Sequence, residues 1–311
     1  MLYEKTGYPG VFGIGFAVLA IDFIMRLLVI EKKVARKYQV DDPSRVSELD
    51  TSRQNNNSNN DQEQEQSGEE EPLLGKKKED DSASFMLSEN QPNIFRFIPI
   101  LPCLSDPRLL TALLVAFIQA TLLGNFDATI PTEAEALFNF DSLKSGILFL
   151  PLGVFDFILG PVFGWAVDRY GPKWVAVGSY IYLVPIFALL RLPHDGGKDQ
   201  MILYGALLAL CGVGLAGIGA PSIVEAGAVV QRYYEVNPDF FGADGPYAQL
   251  YGLNSMVFSA GLTLGPELAG ELRQSVGYGN MNAVLAAICA VTAALCFAYI
   301  GGKPKMLQKR D

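Results

Sequence analysis

Apolar residues along this chain are gathered into seven runs of about 20 residues or more, and none of them alternates with polar residues at the two-residue period of a strand. The runs cover residues 11–30, 109–131, 143–167, 174–192, 201–230, 247–270 and 281–300. About 20 consecutive apolar residues are what an α-helix needs to cross the hydrocarbon core of a bilayer. The pattern predicts an all-α membrane protein with seven transmembrane helices.

A long polar segment separates the first run from the other six. Residues 34–89 are rich in Asn, Gln, Ser, Glu and Asp and hold almost no aromatic residues, so this segment cannot bury a core. We therefore predict an orphan transmembrane helix at 1–37, a disordered cytoplasmic loop at 38–105 and a six-helix bundle at 106–311. The short proline-containing apolar stretch at 94–104 is predicted to lie at the membrane interface, because it is too short to span.

Composition changes this picture little. The 311 residues are 50% hydrophobic with a mean hydropathy of +0.23, which excludes an ordinary soluble domain. The net charge of −9 comes from residues 41–93, which hold 14 acidic and 5 basic residues, so it indicates neither an acidic nor a basic partner, and nucleic acid is not expected. Three of the four cysteines fall inside apolar runs, which predicts buried thiols, no metal and no cofactor.

Basic residues set the expected orientation. If the charged turn at 168–173 lies in the cytoplasm, 18 of the 24 Lys and Arg residues lie on that side, as the positive-inside rule requires. The odd number of helices then places the N-terminus outside or in a lumen and the C-terminus in the cytoplasm. The chain is thus expected to be a multi-pass membrane protein surrounded by lipid.

The charged turn itself has the pattern G-x-x-x-D-R-x-G-x-K, formed by Gly164, Asp168, Arg169, Gly171 and Lys173. We expect the first glycine to admit a neighbouring helix, the aspartate to accept from free N–H groups or to pair with the two cations, and the second glycine to take a positive φ. The pattern resembles the loop between the eighth and ninth of twelve helices in the major facilitator superfamily. A generic basic loop is the plain alternative.

Asp168-Arg169-Tyr170 also matches the D-R-Y that ends the third helix of rhodopsin-like receptors. A seven-helix receptor is therefore a rival interpretation. The last apolar run has no N-P-x-x-Y and the chain has no C-W-x-P, and a receptor leaves the pattern from Gly164 to Lys173 unexplained. These observations disfavour the receptor.

Three further stretches resemble branches of the same superfamily. The segment that starts at Asp127 and ends at Pro131 resembles the end of the seventh helix in vesicular amine transporters, and the N-terminal Y-E-K-x-G-Y resembles drug:proton antiporters before their sixth helix. The glycine-proline motif of antiporters is similar to Gly261, Gly265, Pro266 and Gly270. The resemblance implies helices six to twelve of a transporter that exchanges protons for small organic, cationic or amphipathic solutes, with no enzymatic activity.

An ionisable or polar residue inside a membrane helix is costly unless it faces a wet cavity, so such residues are candidate site residues. For substrate binding they are Asp127, Asn125, Gln119 and Asp156; for proton coupling they are Asp127, Asp156, Glu225 and Glu267. For Glu225 two interpretations stay open: a coupling acid or an interfacial carboxylate. Asp156, and Ser255 at a position where vesicular amine transporters hold an acid, depart from that branch, which puts amine specificity in question.

Three further expectations concern sorting, a glycine motif and the activity of the chain. Glu69 with Leu73 and Leu74 has the form of an acidic dileucine signal, which sorting adaptors would read, so a vacuolar or endosomal membrane is an alternative to the plasma membrane. The formal G-x-G-x-x-G at 212–217 lies inside an apolar run and predicts close helix packing rather than nucleotide binding. A chain without five upstream helices could also be a non-transporting fragment or an assembly partner.

Overall fold

The structure is a computed structural model that describes residues 85–87, 98–242 and 245–301, together with residues 13, 16, 17, 20, 21, 23 and 24. The chain divides into two units, Met1–Leu73 and Leu74–Asp311. In the first unit the seven described residues are helical. The rest of the predicted orphan helix, most of the predicted loop and the residues Glu69, Leu73 and Leu74 lie outside the described residues.

The described part of the second unit is built from helices. After a 3₁₀ turn at Pro102–Ser105 come α1 (Pro107–Phe138), α2 (Ser142–Ile147), α3 (Phe149–Tyr170), α4 (Pro172–Leu189), α5 (Lys198–Val236), α6 (Pro238–Phe241), α7 (Tyr247–Val276) and α8 (Tyr278–Tyr299). Six of these, α1, α3, α4, α5, α7 and α8, correspond to the last six apolar runs. The predicted all-α class and six-helix C-terminal part are confirmed.

Five described segments are long and apolar enough to cross a membrane: Pro107–Phe138, Ser142–Tyr170, Pro172–Leu189, Lys198–Val236 and Tyr278–Tyr299. The run at 247–270 was also expected to span. It forms a 30-residue helix, α7, but does not reach the hydropathy of the other five, because Gln249, Asn254 and Glu267 dilute its apolar residues. α7 thus differs in composition from the helices around it.

α1 lies at the centre of this bundle. It packs most extensively against α7 and then against α5, while α5 also packs against α3 and α4, and α8 packs against α4. Most of the apolar window of α1 is buried, whereas the corresponding window of α3 is only 11% buried. In the described part of the bundle, α3 therefore presents most of its surface outward.

Glycine allows α7 to approach α1 at close range. A methyl group placed on Gly265 would lie 2.5 Å from the backbone oxygen of Thr121, and one on Gly261 would lie 2.5 Å from that of Phe117. In return, Gly124 of α1 accommodates the ring of Pro266. The small residues predicted to allow tight packing of this helix do so at Gly261 and Gly265, while Gly270 lies in open space.

The loop differs from its expected disorder at its C-terminal end. Asn237 accepts from the Leu87 backbone N–H at 3.0 Å and donates to the Phe85 carbonyl oxygen at 2.8 Å, and Gln249 accepts from the Ile100 N–H at 3.0 Å. Phe85 packs edge-on against Tyr233. Residues 85–87 and 98–105 thus bind to the ends of α5 and α7, because their apolar side chains and backbone groups find partners there.

The bundle has two ends, here called proximal and distal. The proximal end holds the α3–α4 turn, the start of α1 and Gly301, which contacts the Lys173 side chain. The distal end holds α2, the end of α1 and the end of α7. Cys103 lies at the proximal end and is fully buried, and burial together with the nearby Asp106 raises the pKa of its thiol to about 12.

Candidate functional site

The polar residues of α1 have different environments although they lie within three turns of one another. Asp127 is exposed and has no hydrogen-bond or ion-pair partner among the described residues. Gln119 is half-buried and directs its amide nitrogen towards Gly219 of α5. Asn125 is only 2% exposed, and neither its side-chain nitrogen nor its oxygen has a partner in the described structure. Buried amide groups normally have partners, so Asn125 marks a polar position inside the packing.

A cavity of about 440 Å³ lies at the distal end of α1. It is lined by Pro131 and Glu135 of α1, by Asp141 and Ser145 at α2, and by neighbouring residues. Asp127 precedes Pro131 by four residues, which places the two on adjacent turns of one helix face. The lining is partly acidic, and this charge favours positively charged molecules in the cavity.

Contacts of α5 give the depth of Asp156 relative to Asp127. The Leu152 carbonyl of α3 meets Gly212, whereas Gln119 of α1 meets Gly219. Asp127 is eight residues, or about 12 Å, nearer the distal end than Gln119. Because α5 runs antiparallel to α1, Gly212 is likewise about 10 Å nearer the distal end than Gly219. Asp127 and Leu152 therefore lie at similar depth.

Asp156 follows Leu152 by one turn, so it lies about 6 Å nearer the proximal end than that shared depth. It is half-buried and makes no ion pair among the described residues. α3 and α1 are not in extensive contact but are both packed on α5. The structure thus places the two aspartates at neighbouring depths on different helices.

Glu225 of α5 is in a very different environment. Its side chain is buried, and one carboxylate oxygen accepts from Arg108 Nε at 2.9 Å, from Arg108 Nη2 at 2.6 Å and from the Gly301 backbone N–H at 3.1 Å. These bonds join α5 to the start of α1 and to the end of α8. Of the two interpretations that the sequence allowed, the contacts favour a structural carboxylate at the proximal end.

A second ion pair, between a half-buried arginine and a buried glutamate, lies at the distal end, and the sequence alone did not indicate it. Arg273 at the end of α7 donates through Nε to Glu133 of α1 at 2.5 Å, and its Nη2 lies 3.4 Å from the Thr132 carbonyl oxygen. Glu133 is 6% exposed. The residues are 140 positions apart, so no local spacing could have paired them. α1 is thus held by one ion pair at each end.

The charged turn between α3 and α4 agrees with its predicted geometry at Gly171 but not at Asp168. Gly171 has a φ of +85°, as expected, and Pro172 begins α4. Asp168, however, is exposed and neither caps α4 nor pairs with a cation in the described structure. Arg169 instead lies over the Trp165 ring, 5.5 Å from its centre, and Lys173 lies over the Phe297 ring, 4.9 Å from its centre.

The glycines of the charged-turn motif and of the G-x-G-x-x-G at 212–217 differ in how closely other helices approach them. No described atom lies within 4 Å of a methyl group placed on Gly164, so the close approach predicted there is not made within the described bundle. At Gly212 and Gly217 of the formal G-x-G-x-x-G, by contrast, a methyl group would overlap Leu152 and Ser179. The packing role predicted for this motif is confirmed.

α7 carries the last candidate residues. Glu267 is exposed and has no partner among the described residues, next to Pro266, which packs on Gly124. The N-terminal half of α7 carries Asn254 and the exposed Ser255. The side-chain oxygen of Asn254 is buried without a partner in the described structure. The acid expected from the vesicular amine branch is thus replaced by a polar, uncharged pair.

Similarity to known proteins agrees with this architecture. Residues 1–234 match the Major Facilitator Superfamily. The chain is 42% identical to the "MFS-type transporter ppzB" of Metarhizium majus (strain ARSEF 297) over 304 residues, which are 97% of this chain and 67% of that protein. It is 40% identical to the protein of the same name from Metarhizium rileyi (strain RCEF 4871) over 306 residues, 97% of this chain and 63% of the relative.

A more distant relative is the "Uncharacterized MFS-type transporter C18.02" of Schizosaccharomyces pombe (strain 972 / ATCC 24843), 29% identical over 303 residues, 96% of this chain and 61% of that protein. The chain belongs to the major facilitator superfamily and is a multi-pass membrane protein. The family is one of transporters rather than enzymes, and membership replaces the receptor interpretation. The chain spans only about two thirds of the length of these curated relatives.

Proposed function

We propose that this chain forms the C-terminal part of a transporter that exchanges protons for small organic solutes of cationic or amphipathic character. The observation that carries the proposal is Asp127. It is an exposed carboxyl group on the central helix of the bundle, without a partner among the described residues, and one turn from a partly acidic cavity. Such a group inside a membrane helix needs a ligand or a proton to offset its cost.

Asp127 is assigned the role of cation partner. Its carboxyl group can hold a proton or a cationic solute but not both, and this competition is what antiport requires. Gln119 and the unpartnered amide of Asn125 add hydrogen-bonding groups on the same helix. Because Asn125 is 2% exposed, it can reach a solute only after α1 and α7 move apart, which suits a site that changes access.

Asp156 and Glu267 are assigned to proton transfer. Both lack an ion-pair partner in the described structure, and Asp156 lies at a depth close to that of Asp127. Glu225 is removed from this role in the proposal, since its carboxylate is already occupied by Arg108 and Gly301. Because Asp156 and Ser255 depart from the pattern of vesicular amine transporters, the proposed cationic solute is not restricted to monoamines.

Alternating access in this superfamily occurs around a midplane site between two bundles. The chain holds one bundle and a further helical segment, so the proposal includes a second set of helices, supplied by sequence beyond this chain or by another chain. The Gly261, Gly265 and Pro266 contacts on α1 supply a surface on which α7 can rock, and Gly171 gives the α3–α4 turn a fixed geometry. An assembly partner without transport of its own is the competing proposal.

The test is uptake into proteoliposomes under an imposed pH gradient. The solute is a radiolabelled organic cation that does not cross the bilayer without a transporter. The chain is purified alone and together with the part of a ppzB-named relative that this chain does not span. We expect Asp127→Asn to lower proton-driven uptake at least tenfold, because Asn keeps the shape and removes the charge. Asp195→Asn, in an exposed loop, is the matched control.

Two results would reject the proposal. Full activity of Asp127→Asn would eliminate Asp127 as the cation partner and transfer that role to Asp156. Absence of uptake by the unmodified chain in both preparations, with normal folding, would favour the assembly partner.

The location of the protein is part of the proposal. Adaptor recognition of the dileucine would deliver it to a vacuolar or endosomal membrane, and replacing Leu73 and Leu74 by Ala would then move it to the cell surface. The orientation proposed from basic residues leaves the sequon at Asn56 on the cytoplasmic side, where no glycan is added. A glycosylated Asn56 would reverse that orientation.

A further inference from the structure

The outward face between α4 and α8 carries a long apolar groove. Its volume is about 630 Å³, and its lining is almost wholly apolar, from Val177, Ile181 and Pro185 on α4 to Ala290 and Ala294 on α8. The recess exists because alanines on α8 face larger aliphatic residues on α4. Both helices are apolar enough to span a membrane, so this groove faces hydrocarbon unless another helix covers it.

A cation lies at the proximal end of the groove. Lys173 precedes Val177 by one turn, and its ammonium group lies 4.9 Å from the ring centre of Phe297, which itself lines the groove. Trp174 packs edge-on against the same ring at 6.3 Å. Tryptophan and lysine beside the end of a membrane helix are typical of the headgroup level.

Charge and length indicate which molecule fits. Lys173 has no acidic partner in the described structure, so its positive charge is available to an anion. From Val177 to Pro185 the groove extends about 12 Å along α4, and one leaflet of the hydrocarbon core is about 15 Å thick. The groove is therefore as long as most of one acyl chain, and it starts where a headgroup phosphate lies.

We infer that the α4–α8 groove is a binding site for one phospholipid molecule, with its phosphate on the Lys173 ammonium and an acyl chain between Ile181 and Ala294. The proposed lipid site does not depend on transport activity. Phe297 joins its two halves, because it contacts both the ammonium group and the groove.

The experiment measures lipid binding to the full 311-residue chain by native mass spectrometry in detergent, with phosphatidylglycerol and, in parallel, a diacylglycerol that has the same acyl chains but no phosphate. Lys173→Gln should weaken phosphatidylglycerol binding about fivefold, the contribution of one basic residue near a membrane surface, about 1 kcal/mol. Its diacylglycerol binding should not change. Ala294→Phe should lower binding of both lipids by filling the groove.

Matched controls separate this site from general lipid adhesion. Lys144→Gln removes a lysine that also lies over a phenylalanine, at 5.8 Å from Phe140, but at the distal end. Ala287→Phe enlarges an exposed residue of α8 that does not line the groove. Both should bind phosphatidylglycerol as the unmodified chain does, and Ala290→Leu replaces Ala294→Phe if the latter does not fold.

Equal phosphatidylglycerol affinity in Lys173→Gln and Lys144→Gln would overturn the inference, as would unchanged binding after the groove is filled. A dimer that Ala294→Phe dissociates, with no lipid retained by the unmodified chain, would also overturn it, because a second copy would then occupy the groove.

Discussion

Replacing Glu225 by Gln tests whether the proximal ion pair holds the bundle together. The carboxylate is 2% exposed and accepts from Arg108 and from the Gly301 N–H. Breaking a buried ion pair typically costs about 3–5 kcal/mol, since the remaining charge is left without compensation. Arg108 retains some contact with solvent, at 13% side-chain exposure, so we expect the lower value, about 3 kcal/mol.

For a domain of this size, a loss of 1 kcal/mol lowers the melting temperature by about 2–4 °C, so Glu225→Gln should lower it by roughly 6–12 °C. The measurement is thermal unfolding of the detergent-solubilised chain, followed by circular dichroism. Arg108→Met combined with Glu225→Met should be less destabilised than Glu225→Gln, because no charge is then buried alone. Glu235→Gln is the control, since Glu235 is exposed and bonds only Gln231 on the same helix in the described structure.

A melting temperature unchanged in Glu225→Gln, as in the Glu235 control, would refute this reasoning. If proton-driven uptake were lost in that same stable variant, Glu225 would be a coupling acid and the structural role would be wrong.

The other predictions concern packing and the bound loop segment. Gly265→Val should destabilise the bundle by more than about 2 kcal/mol, because its branched side chain overlaps the backbone of α1; unfolding in denaturant measures this. Asn237→Ala should release residues 85–87 and speed maleimide labelling of Cys103, whose thiol has a pKa of about 12 and is almost wholly protonated at pH 8 in the folded chain. Glu133→Gln should cost about 1–3 kcal/mol by weakening its bond to Arg273, again measured by thermal unfolding.

The Gly265 and Glu133 predictions each have a control on the same helix. Gly270→Val lies in open space on α7 and should be neutral, so equal destabilisation at Gly265 and Gly270 would contradict the packing argument. Glu135→Gln tests whether the loss at Glu133 is specific to the ion pair. Labelling of Cys103 that is already fast in the unmodified chain would show that its segment is not held at the proximal end.

The sequence determined the features that repeat locally. Apolar runs predicted the six helices of the bundle, the motif from Gly164 to Lys173 indicated the superfamily, and the positive φ of Gly171 followed from its place in a tight turn. The glycines at 212–217 were assigned to packing because an apolar run leaves no strand before them. These predictions rest on neighbours within a few residues, which a sequence contains directly.

Only the tertiary structure decided which groups are paired and which are available. Glu225 and Asp127 are both membrane carboxyl groups in sequence, yet Glu225 meets Arg108, 117 positions away, and Asp127 meets no described partner. Arg273 finds Glu133 across 140 positions, and Lys173 lies over Phe297 rather than beside Asp168. Such pairings depend on how whole helices are arranged against one another, because a side chain bonds the group that packing brings within about 3 Å, whatever its distance along the chain.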